Sequence, residues 1–209
     1  MTKWPTPRFG ASDWVLHQRQ RLASGFFPLD QLTLSHAGYQ SETVGPMSRE
    51  LMLREPAVVV ILCDPVLDAV VMVEQFRVGA ALSKLDDSPW LLEWVAGICD
   101  PGEQPIDTVA REVTEETGLQ LSAEPEHLFT YYPSPGGSNE LIHLYYASCD
   151  ASQVSQYRSQ ASEHEDIRVH VISLQTAFDA LATGQVNNAA TIMGLQWLAA
   201  HRSHWKRGR

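Results

Sequence analysis

Residues 97 to 119 read GICDPGEQPIDTVAREVTEETGL, a stretch that brings Glu103, Glu112, Glu115 and Glu116 together around one arginine, Arg111. If the segment from Pro105 is helical, Glu112 and Glu116 stand one above the other, a turn apart on one face. Like charges in that relation destabilise an isolated helix by roughly 0.2–0.5 kcal/mol. Glu115 and Glu116 also fall at the C-terminal end, where the helix dipole disfavours anions. Arg111 offsets one carboxylate through its i, i+4 relation to Glu115, but not all of them. A divalent cation removes the conflict. Partly exposed hard oxygen ligands suit Mg²⁺, which keeps several waters and completes its shell with substrate phosphates. Taken alone, the helix favours the plainer reading of a solvated acidic face.

The elements that must position these groups follow from patterning. Pro105 suits a first helical position and Gly118 the position just past the end. Ile106, Val109, Ala110 and Val113 make one apolar face that docks on a sheet, which places Glu112 and Glu116 at the boundary between core and solvent. The sheet is read from AVVVILCDP and AVVMVEQFR, strands at Ala57 to Cys63 and Ala69 to Arg77 joined by a turn at Asp64-Pro65. A loop (ALSKLDDSP), a short apolar run at Trp90 to Ala96, and then loop and helix follow. Further strands are expected at Glu126 to Tyr132, Leu141 to Ser148 and Ile167 to Ser173. Two helices close the chain: Leu174 to Thr183, stopped by Gly184, and Ala189 to about Trp205, capped by Asn187 or Asn188. The first residues read as strands at Asp13 to Leu22, Phe27 to Ser35 and a short Leu51 to Arg54. The expected organisation is an N-terminal β-domain over 1–55 with little core of its own, and an α/β or α+β layered domain over 56–209.

Composition bounds the function. A formal net charge of −10 on 209 residues argues against broad binding to a nucleic-acid backbone. Cys63, Cys99 and Cys149 are far apart and odd in number, so neither a disulfide framework nor structural zinc is expected. The start of the chain lacks a signal-type apolar run and no segment reaches membrane-span length, which points to a soluble cytoplasmic protein without a membrane partner.

The whole stretch fits G-x5-E-x7-R-E-U-x-E-E-x-G-U, with Gly97, Glu103, Arg111, Glu112, Val113, Glu115, Glu116, Gly118 and Leu119 at its constrained positions. This resembles the signature box of the Nudix hydrolases. The resemblance implies an α/β/α sandwich that hydrolyses a nucleoside diphosphate linked to another group, dependent on Mg²⁺ with Mn²⁺ as a substitute, two or three ions per site. It implies Glu112 and Glu116 as principal metal ligands, Glu115 in support, and the Ala96 carbonyl as a further ligand. Arg111 would orient the glutamates, with Glu103 as one partner.

Substrate marks lie elsewhere. In YYPSPGGSNE, residues 131 to 140, Pro135 stands sixteen residues after Leu119, an offset similar to that of the ADP-ribose pyrophosphatase subgroup. That loop implies substrate contacts from Ser134, Pro135, Gly136 and Glu140. The segment ASEHEDIRVHVIS resembles the subgroup's E-x-E-D-I-R-V, which implies Glu163 as general base on a loop that closes over substrate, with Glu165 as runner-up. GFF, EQFR, PWLLEWVAG and NNAATIMGLQWL extend the likeness over most of the chain. Trp94 and Cys99 depart from it, replacing residues commonly smaller or acidic. Phe26 or Phe27 would stack on adenine, with a core aromatic as the alternative for one of them. Arg77 would hold the diphosphate. Glu93 would contact adenine or ribose, or add to the metal site. Arg49 and Arg54 are weaker candidates for phosphate or ribose, each read first as a surface charge. The resemblance further implies a homodimer that swaps its N-terminal domains, with adenine at the interface. Another nucleotide sugar, such as GDP-mannose or ADP-glucose, and a non-catalytic ADP-ribose-binding regulator are the alternatives.

Overall fold

The structure is a computed structural model that describes residues 3–83, 88–160 and 165–201, with Gln160 and Glu165 described by backbone alone. The chain divides into two compact units, Met1–Arg54 with Tyr132–Glu140, and Glu55–Tyr131 with Leu141–Arg209.

The first unit is an antiparallel sheet of β1 (Trp14–Ser24), β2 (Pro28–Ala37) and β3 (Thr43–Met52), in that order. Sequence patterning foresees only Leu51 to Arg54 for the third strand. The strand is Thr43–Met52 instead, and Leu53 and Arg54 lie outside it. Its polar residues and Gly45-Pro46 mask a pairing with β2 that runs from Leu29↔Met52 to Ala37↔Thr43, with a register shift between Leu34 and His36. Among the described residues, those buried in this unit are polar: Asp30, Ser35 and Ser138. Every buried apolar side chain among the described residues lies from Ala57 onward, in the second unit. Asp30 is held by Arg19 and Arg21 of β1. Burial works against its charge, but the two guanidinium groups override that and keep its pKa below the usual carboxylate range. The excursion Tyr132–Glu140 is tied in by main-chain bonds, Met52 N–H to Gly137 O at 2.9 Å among them. Asn139 exchanges two bonds with the Arg54 backbone, at 2.8 and 3.3 Å.

The second unit contains β4 (Ala57–Asp64), β5 (Ala69–Phe76), a one-turn α1 (Val78–Ala81), β6 (Trp90–Glu93), β7 (Val95–Ile98), α2 (Pro105–Thr117), β8 (Glu126–Tyr131) and β9 (Ile142–Ser148). A 3-10 turn, Ala151–Gln153, precedes β10 (Tyr157–Gln160), β11 (Glu165–Ser173), α3 (Leu174–Ala182) and α4 (Ala189–Ala200). The strands form one mixed sheet of order β10-β11-β5-β4-β9-β8, with β6 on β5 and β7 on β4. Among the described strands of this sheet, β4 and β9 alone pair in parallel. β4 is buried along its whole length because helices cover both faces, which explains its unbroken apolar run. Val58, Val60 and Leu62 pack with Val109 and Val113 of α2. Val59, Ile61 and Cys63 pack with Leu174 and Ala177 of α3 and with Leu195 and Leu198 of α4. The layers are therefore helix, sheet, helix, the expected α/β/α sandwich.

Several boundaries differ from the sequence reading. The run Trp90 to Ala96 is two strands, parted at Trp94 so that β6 serves β5 and β7 serves β4. Gly97 and Ile98, read as the start of a loop, belong to β7. β10 was not foreseen, since YRSQ is a short polar edge strand without apolar alternation. Asn188 is the cap of α4, accepting the Thr191 N–H at 3.0 Å, and the helix ends at Ala200. The expected extension to Trp205 runs into residues outside those described.

Candidate active site

α2 begins with Pro105 and ends at Gly118, whose φ of 76° is a left-handed cap. Val109 and Val113 are fully buried, so the helix is rotationally fixed on the sheet. Glu112 and Glu116 are only 9% and 3% exposed, deeper than the core–solvent boundary foreseen for them. The reason lies in β7. A Cβ at position 97 would overlap the Glu112 carboxylate, so glycine alone lets that side chain lie on the strand backbone. One residue earlier, the Ala96 N–H donates to Glu116 Oε2 at 3.2 Å. Both carboxylates thus converge on the Ala96–Gly97 backbone.

Arg111 does more than its i, i+4 spacing suggested, because it serves three carboxylates rather than one. It donates through Nε and Nη2 to the two oxygens of Glu103, each at 3.2 Å, and through Nη1 to Glu112 at 2.7 Å and Glu115 at 3.1 Å. Nη2 also reaches the Ile98 carbonyl at 3.1 Å, fixing the fork to β7. This arginine, helped by the Asp100 N–H, holds the Glu103 carboxyl down to about 2. The hydrogen bonds to Glu103 in turn stabilise the charged guanidinium, despite the cost of its burial.

Sequence reasoning missed Arg158 of β10. Its Nε donates to the Glu115 carbonyl at 2.8 Å and its Nη2 to the Thr114 carbonyl at 3.3 Å, capping the C-terminal end of α2. No local pattern could reveal a contact across so much chain.

A second group forms at the end of β6. Glu93 is 6% exposed and accepts from Arg77 Nε at 2.7 Å through one oxygen and from Asn188 Nδ2 at 2.5 Å through the other. Beside it Trp94 is fully buried against α4, where a Cβ at position 194 would overlap its indole nitrogen. Gly194 is what makes room for the large residue at position 94.

Apart from Glu163 and Glu165, the remaining expected residues belong to the first unit. Phe26 is exposed and meets Phe27 edge to face at 4.7 Å between centroids. The Arg54 guanidinium lies 4.2 Å over the Phe27 ring, and its Nε stands 2.9 Å from Glu140 Oε1, an ion pair without hydrogen-bond alignment. Arg54 is therefore no free surface charge, the role first expected of it. Arg49 is exposed, and bonds the Ser48 carbonyl at 2.8 Å. Ser134, Pro135 and Gly136 form an exposed turn in which the Ser134 carbonyl accepts from Gly137 and Ser138 N–H. Glu163 lies outside the described residues; Glu165 opens β11, its side chain not described.

Carboxylate oxygens of Glu112 and Glu116 beside the Ala96 backbone fit a hard divalent cation, with water and substrate oxygens completing the shell. Among the described residues no three His, Cys, Asp or Glu side chains converge as a cage. Burial raises the Cys63 and Cys99 thiols and pushes Cys149 up to about 12, which disfavours the thiolate form of all three. Among the described residues no helix is long and apolar enough to cross a membrane.

A box helix docked on a mixed sheet between helical layers, with its glutamates gathered by one arginine, defines a family, and the chain belongs to it. It is a Nudix protein, matching the NUDIX domain over residues 53–193. Beyond the domain, it is 37% identical to the ADP-ribose pyrophosphatase of Haemophilus influenzae, covering 95% of this chain and 94% of that one. Identity to the ADP-ribose pyrophosphatase of Escherichia coli is 36%, over 95% and 93% of the two chains. The GDP-mannose pyrophosphatase of Escherichia coli is 31% identical, over 85% of this chain and 90% of its own. Among solved structures, a crystal structure of an ADP compounds hydrolase superposes with a TM-score of 0.66 at 18% identity. It covers 90% of this chain and 95% of that one, and carries the likeness of fold.

Proposed function

We propose that this Nudix pyrophosphohydrolase cleaves the diphosphate of ADP-ribose to AMP and ribose 5-phosphate. The observation that carries the reading is near full-length similarity to ADP-ribose pyrophosphatases, higher in identity and coverage than that to the GDP-mannose enzyme. Glu112 and Glu116, with the Ala96 carbonyl and Glu115 in support, are assigned to two or three divalent cations, Mg²⁺ or Mn²⁺. Bound there, the metal would neutralise diphosphate charge, polarise phosphorus and lower the pKa of water. Arg111 holds Glu112 and Glu115 in register. Arg77 is assigned to the diphosphate, since its bond to Glu93 uses Nε and directs a guanidinium edge elsewhere. Phe26 and Phe27 suit stacking on adenine, and Ser134, Pro135, Gly136 and Glu140, with Arg49 and Arg54, are assigned to substrate from the first unit. Glu163 is assigned as general base, with Glu165 as its alternate.

A cytoplasmic homodimer that exchanges first-unit strands completes the reading. The exposed length of β1 supports it, as does the lack of buried apolar side chains among the described residues of that unit. Sedimentation giving a monomer would remove the dimer from it.

The test is a substrate panel with Mg²⁺. ADP-ribose should give the highest kcat/KM among ADP-ribose, ADP-glucose and GDP-mannose, and Glu163→Gln should lower kcat by about 10²–10⁴-fold. Rapid GDP-mannose turnover beside negligible ADP-ribose turnover would assign the chain to the other substrate.

A further inference from the structure

Asn188 sits at two junctions at once. Its Oδ1 accepts from the Thr191 N–H at 3.0 Å and from the Thr191 hydroxyl at 3.2 Å, capping α4. That orientation turns the amide nitrogen outward, where it donates to Glu93 Oε1 at 2.5 Å. The other oxygen of Glu93 accepts from Arg77 Nε at 2.7 Å. Each carboxylate oxygen therefore has a different partner, and the helix cap, the buried glutamate and the arginine form one chain of charge-assisted bonds. The neighbouring packing keeps that chain in place. The Thr191 hydroxyl reaches the Leu92 carbonyl at 3.4 Å, and one turn on, Gly194 admits Trp94 against the helix.

We propose that Asn188 is a positioning residue for substrate binding: through Glu93 it sets the orientation in which Arg77 meets the diphosphate. Glu93 alone would be free to rotate about its terminal torsion, which is broad for a carboxylate. Asn188 locks that torsion from the side opposite Arg77. Arg77 is then presented with its Nε engaged and its outer edge toward substrate. The link depends on an amide: only a group with both an acceptor and a donor can cap a helix and hold a carboxylate together. This rests on the assignment of Arg77 to the diphosphate, so the experiment separates the two claims.

Asn188→Asp keeps a good helix cap but replaces the donor facing Glu93 with an acceptor. With ADP-ribose and Mg²⁺ it should raise KM about tenfold and leave kcat within about threefold, while Tm falls because two carboxylates now face each other. Asn188→Ser, which also caps but is too short to hold Glu93, should raise KM to a similar extent with Tm retained. Adding Glu93→Gln to Asn188→Asp restores a donor–acceptor pair with its direction reversed, and should recover part of the KM loss. If Arg77→Ala raises KM while both Asn188 variants leave it unchanged, the positioning role is overturned and the diphosphate assignment stands. If Arg77→Ala leaves KM unchanged, the diphosphate assignment itself fails and the proposal with it. A fall in Tm and kcat together, with KM constant, would reduce Asn188 to a helix cap.

Discussion

Two charge centres in this molecule have opposite stoichiometry. In the first unit a single carboxylate, Asp30, is held between two guanidinium groups, Arg19 and Arg21. In the second, one guanidinium, Arg111, serves Glu103, Glu112 and Glu115, with Glu116 one turn beyond Glu112. The first arrangement is internally satisfied: the buried group is outnumbered by its counter-ions, and the arginines keep their stems on the sheet and their heads partly in water. The second has more anion than cation, packed between a helix and a strand. The first centre leaves its surplus charge on half-exposed arginine heads, where water screens it, and acts as a fastening. The second holds its surplus anion beside the buried Glu112 and Glu116, an arrangement that a cationic ligand would relieve.

Removing a group from each centre should therefore have opposite effects. Glu116→Gln takes a carboxylate from the crowded centre, so kcat should fall about 10³-fold as transition-state charge loses its support. Its Tm should hold or rise, because a like-charge contact has gone. A variant with wild-type kcat and a depressed Tm would make Glu116 a structural residue and erase the contrast.

Asp30→Asn should do the reverse, lowering Tm while kcat stays close to wild type. Because the Asp30 carboxyl titrates below its ordinary range, its stabilisation is present above that range and is lost as pH falls through the folded pKa. The Tm gap between wild type and Asp30→Asn should accordingly narrow in acid. A gap that widened would show that the arginines are not what holds the charge.

Glu103→Gln belongs between the two, since Glu103 orients the arginine without sharing in the buried pair. Its kcat should fall about tenfold, in the range typical of groups one bond removed from a metal site. The folded pKa of about 2 lies below the ordinary value of 4.5. The Glu103 contribution to stability is thus complete above about 4.5 and disappears as pH falls toward 2. Thermal unfolding from pH 2 to 6 should show wild type and Glu103→Gln converging at the acid end.

What the sequence made legible divides along the same physical line. β4 and β5 announce themselves because a strand covered on both faces must be apolar throughout. α2 is bounded by Pro105 and Gly118, each in the position its backbone geometry favours, and its glutamate spacing is read directly from the helical period. β3 and β10 hide, because edge strands are polar and take their register from a neighbour rather than from their own side chains. At the site, identities and spacing were visible, but partners were not. Arg158 on the end of α2, Arg54 on Phe27 and Glu140, and Asn188 on Glu93 all join residues brought together only by the fold. The depth of Glu112 was hidden for a related reason: it depends on the absent Cβ of Gly97, a residue on another element.

The excursion Tyr132–Glu140 leaves from β8, belongs to the first unit, and returns into β9. The chain thus contributes two separate segments to the first unit. A fragment begun at Glu55 would retain a loop whose bonding partners, Met52 and Arg54, had been cut away, while a fragment ended at Arg54 would lack part of its own unit. The smaller unit cannot be transplanted by a single splice. Any ancestor or engineered hybrid that exchanges it must change the chain at two separate places.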